Sequence, residues 1–373
     1  MPSSSGKRGE NIKDQKIGRT IRQDFKDMGG GTFKRTILHE FKDIYYFYVD
    51  EETRKRLSRM GKFKRWFMMS FNVLKSMFLK LTPFRRLLLL VSIALAMSNT
   101  SYQGEDIQVT VSLPSIGYAI LLFVLILELK DKLLAQDELA AGRVVQKSMI
   151  PDRNPELTGW EIYLNSFPAN EVGGDLVDYI ELDKDTLGIV IADVAGKGLG
   201  AALYMVKMQS TFRAIAHSFR SLTDFGMRIN EIFCRDGVPT RFISLLYLTL
   251  TSKSDTVQYL NAGHLPPLVM RRGAVSELPQ GDTAIGLTAD TVFNEKQAVL
   301  NSGDMMLIYS DGITEARDKE GQFFGDNRLQ GLFLRMADKS PAEVGKRLVK
   351  EVNTFIGDEG MSDDISFIII KRR

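Results

Sequence analysis

Four acidic clusters are spread over nearly two hundred residues of this 373-residue chain: GGDLVDY (173–179), ADVAGKG (192–198), YSDGITEA (309–316) and SDDIS (362–366). Each places an aspartate in a turn. Three of them adjoin strongly apolar runs, LGIVIAD from Leu187, MMLIYSD from Met305 and DISFIII from Asp364. Runs of that kind read as strands, so Asp193, Asp311 and the Asp363–Asp364 pair are expected at strand ends, where a rigid sheet can aim carboxylates at a common point. Converging carboxylates repel, and the usual remedy is a hard divalent cation such as Mg²⁺ or Mn²⁺. The chemistry expected is that of a metal site built from oxygen ligands.

The elements that must position this site occupy only part of the chain. Residues 1–86 carry 21 Lys and Arg against 9 Asp and Glu, whereas residues 87–373 carry 28 against 37. The two parts therefore do different work. A single cysteine, Cys234, excludes an intramolecular disulfide and a thiolate zinc site, and reads as a small buried hydrophobe.

Between Thr53 and Arg86 there are 11 basic residues and no acidic one, interleaved with Trp66, Phe67, Met68, Met69, Phe71, Met77, Phe78 and Phe84. That mixture suits an amphipathic helix on an anionic membrane surface. A solvated basic helix or a nucleic-acid surface would look alike. The following segments favour the membrane: Leu87–Gly104 holds no charge, and Ile107–Leu127 is a 21-residue uncharged run. About 20 apolar residues cross a bilayer. Both runs are read as transmembrane helices, with Arg85, Arg86, Lys130 and Lys132 at the outer flanks and Glu105 and Asp106 in the connector. The positive-inside rule then puts both ends of the hairpin in the cytoplasm. The polar start of the chain shows no cleavable signal peptide and is expected to be disordered.

Residues 131–150 are good helix formers stopped by Pro151, with Leu134, Ala141, Val145 and Met149 on a narrow apolar stripe. The stripe suits a coiled linker that pairs with a second copy, and equally ordinary core packing. From Trp160 onward short strands alternate with tight polar turns such as LDKDT and TSKSD, a hairpin signal, and helices are expected over 199–219, 222–233 and 341–356. Sheets with helices outside them follow. The glycines at 196, 198 and 200 superficially resemble a nucleotide loop. A Walker loop needs Ser or Thr after its lysine, but Gly198 follows Lys197, and a dinucleotide fold needs a parallel strand where helix is expected.

The motifs GGDLVDY, DVAGKG, NAGHLPPL, YSDGITEA and SDDIS, in this order, resemble the PPM-type metal-dependent serine/threonine phosphatases, in their bacterial SpoIIE and RsbU branch. The likeness runs from about Asp137 to the C-terminus. It implies an α+β fold, an αββα sandwich of two antiparallel sheets flanked by helices, here preceded by a transmembrane helical hairpin. The organisation expected is a basic cytoplasmic region (1–86), two membrane helices (87–129), a linker helix (130–150) and a phosphatase domain (151–373).

Carried over from that resemblance, two Mn²⁺ or Mg²⁺ ions lie between the sheets. Asp193 bridges them, the Val194 carbonyl binds one, Asp175 approaches the second, and Asp311 and Asp363 complete the first ion's shell. Two ions roughly 3.5–4 Å apart activate a bridging water for in-line attack on phosphorus. Asp364 is adjacent and could share the duty, although strand neighbours face opposite ways. Asp178 is read as a holder of metal-linked water or as a turn cap, and His264 as a turn-stabilising residue or a catalyst. In the eukaryotic branch a histidine acts as general acid; here that position is Ala195. The implied activity is phosphoserine/phosphothreonine protein phosphatase at the bacterial inner membrane, acting on a STAS-type anti-sigma antagonist, with membrane lipid and a second copy as further partners and no nucleic acid. The rival readings are a pseudophosphatase that binds a phosphoprotein without hydrolysing it, and a membrane signalling scaffold.

Overall fold

The computed structural model describes residues 62–98, 101–103, 110–238 and 240–373. The expected disordered start, His39 and the acidic connector residues Glu105 and Asp106 lie outside the described residues. The chain divides into two compact units, Met1–Asp131 and Lys132–Arg373.

In the first unit, α1 (Lys62–Lys80) is followed by α2 (Pro83–Ala96), a short antiparallel ribbon of β1 (Ser101–Gln103) and β2 (Thr110–Ser112), and the start of α3 (Leu113–Met149). Two expectations are corrected here. The charge-free run Leu87–Gly104 is not one spanning helix. α2 has 14 residues, about 21 Å at 1.5 Å per residue, short of the roughly 30 Å hydrocarbon layer. It ends where polar side chains begin to compete for its backbone: Ser98 Oγ donates to the Leu95 carbonyl at 2.8 Å. In the second run Thr110–Ser112 is strand and the helix starts at Leu113, where Pro114, with no N–H to give, sits in the first turn.

Among the described residues α3 is the one helix long and apolar enough to cross a membrane. α2 packs closely on α3. A β-carbon on Gly117 would stand 2.6 Å from the Ser92 carbonyl oxygen and the Ala96 nitrogen, so only glycine permits this approach. Arg85 ties the two helices together through Glu128 (2.6 Å) and Asp131 (2.7 Å). The expected separate linker helix of 130–150 is the C-terminal part of α3, since no proline lies between Leu127 and Met149 and Gly142 alone does not break the helix.

The second unit holds two five-stranded antiparallel sheets. Its strands are β3 (Trp160–Phe167), β4 (Asp175–Glu181), β5 (Thr186–Val194), β6 (Ile243–Thr251), β7 (Thr256–Ala262), β8 (Leu268–Arg271), β9 (Ala274–Glu277), β10 (Glu295–Val299), β11 (Met305–Tyr309) and β12 (Ile365–Arg372). One sheet has the order β10-β7-β6-β5-β4 and the other β3-β12-β11-β8-β9. The first carries α4 (Leu199–Ile215) and α5 (Leu222–Asp236); a single turn, α6 (Asp311–Thr314), precedes α7 (Asp326–Leu334) and α8 (Pro341–Ile356) on the second.

Period-two alternation builds three apolar layers. Along β5, Ile189 and Ile191 face the other sheet with Leu246, Ile368 and Ile370, while Val190 and Ala192 face α4 and α5 with Met205, Phe212 and Phe225. Behind the second sheet, Leu307, Phe367 and Ile369 pack on Leu329, Val344 and Leu348 of α7 and α8. The expected αββα sandwich is therefore present. Strands β9 and β10 and helix α7 were not expected: β9 is short and largely exposed and β10 buries only Ala298, so they carry little apolar alternation. Cys234 is half-buried rather than fully buried.

Candidate functional site

The acidic clusters meet because of strand pairing. Asp175 begins β4, Asp193 nearly ends β5, and the antiparallel register sets them directly opposite. In the second sheet β11 ends at Tyr309 and β12 begins at Ile365, with Tyr309 opposite Phe367, so Asp311 and the Asp363–Asp364 pair leave the same end. Ser310 stitches that end closed: its N–H donates to the Ser366 carbonyl (2.9 Å), and its hydroxyl accepts from the Ser366 N–H (3.0 Å).

Asp175 is buried, and its Oδ2 has no hydrogen-bond partner among the described residues. Burial, then the charge of Asp193, pushes its carboxyl well above the usual range, with the hydroxyls of Ser366 and Ser310 offsetting only part. Asp193 is raised to about 6, by burial first and then by Asp311 and Asp363. Burial, followed by the charges of Asp363 and Glu315, raises Asp311 against the opposing effect of Lys197. These mutual effects place Asp175, Asp193, Asp311 and Asp363 in one electrostatic cluster. Among the described residues no three acidic, imidazole or thiol side chains enclose an ion as they stand. Instead, Lys197 Nζ bonds Asp363 Oδ2 at 2.6 Å and the Ser362 carbonyl at 2.7 Å.

Asp363 and Asp364 point to different tasks. The carboxylate of Asp364 accepts backbone N–H groups from Ala169 (2.8 Å), Gly174 (2.7 Å) and, more weakly, Asp175 (3.3 Å). It thereby ties the GGD turn of one sheet to the start of β12 in the other. Gly173 packs directly on this carboxylate and Gly312 on the Asp364 carbonyl; a β-carbon at either would collide.

The residues left open by sequence are placed as follows. Asp178 is fully buried away from the cluster, bonded to Arg213 Nε and Nη2 (2.7 Å each) and Gln209 Nε2 (2.9 Å) of α4. It anchors that helix to β4. His264 N–H donates to Asn261 Oδ1 (2.8 Å), Asn261 Nδ2 donates to the His264 carbonyl (3.1 Å), and the imidazole Nδ1 meets Ser244 Oγ at 3.2 Å. Burial pushes its pKa down to about 4, so the ring is neutral. Those bonds make it a turn residue.

Sequence reasoning missed three neighbours of the site. Lys197 stood in view inside ADVAGKG but was weighed only as a phosphate-loop lysine. Gln146 on α3 is buried and reciprocally bonded to Gly173, its Nε2 donating to the carbonyl (2.7 Å) and its Oε1 accepting from the N–H (3.0 Å). One polar residue beside an apolar stripe carries no signal of that contact. Nearby, Gln209 Nε2 donates to the Met149 carbonyl (2.7 Å) and Arg143 pairs with Glu171 (3.0 Å). The end of α3 is thus bonded to the turn that delivers Asp175. The third, Arg241, reaches the ADVAGKG turn from 46 residues away, where its Nη1 donates to the Ala195 carbonyl.

Comparison with known proteins places this architecture. Protein IcfG of Synechocystis is 27% identical over 263 residues, covering 63% of this chain; the chain spans only 41% of IcfG. Phosphoserine phosphatase RsbU of Bacillus subtilis is 25% identical over 247 residues, 66% of this chain and 72% of RsbU. The solved SiaA-PP2C domain of Pseudomonas aeruginosa shares the fold at a TM-score of 0.56 and 20% identity, over 65% of this chain and 98% of that domain. The model of the family described as Stage II sporulation protein E (SpoIIE) matches residues 183–373, just over half of the chain, including three of the four acidic clusters. On that match, and with the two-sheet fold that brings those clusters together, the chain belongs to the SpoIIE family.

Proposed function

We propose that this chain is a membrane-anchored protein phosphatase that hydrolyses phosphoserine or phosphothreonine with divalent cations. The observation that carries the reading is the convergence of Asp175, Asp193, Asp311 and Asp363 from two sheets, with three of these carboxyls driven above their ordinary pKa by burial and one another. The donor set fits hard cations. It is all oxygen, it suffers like-charge repulsion that a cation would relieve, and Asp175 keeps one buried oxygen without a partner. Asp175, Asp193, Asp311, Asp363 and the Val194 carbonyl are the groups that would hold the ions. A bound pair of Mn²⁺ or Mg²⁺ would supply an activated water and neutralise phosphoryl charge. The chain's own contribution is to hold these carboxylates rigidly at sheet ends.

RsbU's name speaks of phosphoserine; together with the motif resemblance it supports a phosphoprotein substrate, of which a STAS-type anti-sigma factor antagonist is our choice. α3 supports anchoring at a bacterial inner membrane, with α2 held beside it through Arg85. Phe67, Phe71 and Leu74, exposed at helical spacing on basic α1, support contact with anionic lipid. Leu134 and Val145 are exposed on α3, which supports pairing with a second copy, and the Gln146–Gly173 bonds would pass the state of that helix to the GGD turn.

The test is Mn²⁺-dependent phosphate release from a phosphoserine peptide by the full chain in lipid nanodiscs, beside Asp193→Asn and Asp311→Asn. Turnover lost by at least about 10²-fold in both variants is expected, since each removes a group that would hold the ions. Folded wild type that binds the phosphopeptide without releasing phosphate would instead establish the pseudophosphatase, a reading that draws on the Lys197–Asp363 pair.

A further inference from the structure

The ADVAGKG turn is rich in small residues. Gly196 and Gly198 have φ of +107° and +73°, a left-handed backbone that glycine adopts freely, and the turn's small residues offer little of their own to hold it. Besides the bonds of Lys197 to Asp363 and Ser362, restraint comes from the connection between α5 and β6. There the chain tightens through an Arg241 N–H to Val238 carbonyl bond (2.9 Å) and sends Arg241 and Phe242 to either side of Ala195.

The Ala195 N–H donates to the Phe242 carbonyl at 2.9 Å. A trans peptide is planar, so the Val194 carbonyl in the same peptide unit points the opposite way. Its oxygen lies 3.4 Å from where a β-carbon on Gly174 would stand, which faces it toward the GGD turn. The next peptide unit is held by a side chain: Arg241 Nη1 donates to the Ala195 carbonyl at 3.0 Å. The guanidinium lies so close to the turn that β-carbons on Gly196 and Gly200 would stand 2.7 Å and 2.6 Å from its nitrogens. Both peptide units flanking Ala195 are therefore pinned, one by backbone and one by Arg241. A planar guanidinium can bond a carbonyl while packed against two glycines; an ammonium on a flexible stem cannot do both.

We propose that Arg241 is a positioning residue for metal binding: by holding the Ala195–Gly196 peptide it keeps the Val194 carbonyl and the Asp193 carboxylate aimed at the cations. The assignment rests on the phosphatase reading above. It gives Arg241 no contact with substrate. Partners of this kind, which orient ligands without touching the ion, typically change metal affinity by about 10- to 100-fold when removed.

The experiment is Mn²⁺ binding, read from free-Mn²⁺ electron paramagnetic resonance, on the full-length protein in nanodiscs. Wild type, Arg241→Ala and Arg241→Lys are compared, with phosphopeptide kinetics at limiting and saturating Mn²⁺. Arg241→Ala should weaken Mn²⁺ binding by about 10- to 100-fold, recover turnover at saturating Mn²⁺ and keep the wild-type KM for peptide; Arg241→Lys should fall between. Unchanged Mn²⁺ affinity with a raised KM would overturn the proposal and make Arg241 a phosphate contact. Unchanged behaviour in both would overturn it as well. Should Arg241→Ala not fold, the lysine variant decides: an unaltered Mn²⁺ affinity there refutes the role. Wild type that neither binds Mn²⁺ nor releases phosphate would overturn the phosphatase reading itself, a failure distinct from a normal wild type with insensitive variants.

Discussion

Replacing each of the adjacent aspartates 363 and 364 by asparagine should separate two jobs that their sequence makes indistinguishable. Asp364 receives two strong backbone bonds, at 2.8 Å from Ala169 and 2.7 Å from Gly174, and is only 7% exposed. Asparagine keeps the shape and one acceptor oxygen but turns an NH₂ group toward at least one N–H. A buried hydrogen bond to a charged group is worth about 1.5–3 kcal/mol, so Asp364→Asn should cost about 2–3 kcal/mol. For a unit of this size each kcal/mol lowers Tm by about 2–4 °C, giving a drop of about 4–12 °C. Asp363 has a side chain 35% exposed and an ion pair with a largely exposed Lys197. Exposed pairs contribute about 0–1 kcal/mol, so Asp363→Asn should move Tm by less than about 4 °C. Calorimetric melting of the full chain in EDTA removes any contribution from bound metal, and Mn²⁺ titration at 20 °C completes the comparison. Asp363→Asn should lose Mn²⁺ affinity at nearly wild-type Tm; Asp364→Asn should lose Tm first. An Asp364→Asn protein with unchanged Tm and no Mn²⁺ binding would refute the assignment and give that carboxylate to the ions.

Acid should destabilise the fold through His264. Its folded pKa is lowered to about 4 from an ordinary 6.5, so the unfolded chain binds the proton first, and stability present above pH 6.5 is lost as pH falls toward 4, by about 2 kcal/mol at pH 5. Denaturant unfolding at pH 7 and pH 5 should show that much less acid sensitivity in His264→Asn than in wild type; equal sensitivity would mean the ring is protonated in the fold. On α3, Leu134→Glu with Val145→Glu should convert a detergent-solubilised dimer to monomer and change turnover with it, since both side chains are more than half exposed. Light scattering that shows one unchanged state, with unchanged turnover, would remove the linker from the mechanism.

Much of this protein was legible in order of residues because the relevant forces are local. Period-two alternation marked strands such as Thr186–Val194 and Ile365–Arg372, and polar turns marked their hairpins. Pro341, capped by Ser340 and Glu343, set the start of α8 at the expected residue. Carboxylates placed at strand ends announced the acidic cluster before any register was known. What depended on the third dimension was contact between distant segments. Which of Asp363 and Asp364 faces the cluster depends on β12 lying between β3 and β11, a choice that adjacent identical residues cannot encode. Asp178 stood open between holding metal-linked water and capping a turn until the Arg213 side chain of α4 was found against it. α2 proved shorter than its charge-free run, because absence of charge permits a membrane helix whereas Ser98 still competes for its backbone. The grips of Gln146 on Gly173 and Arg241 on Ala195 join residues 27 and 46 positions apart. No periodicity or spacing reports such bonds, since their geometry exists only once separate elements have packed.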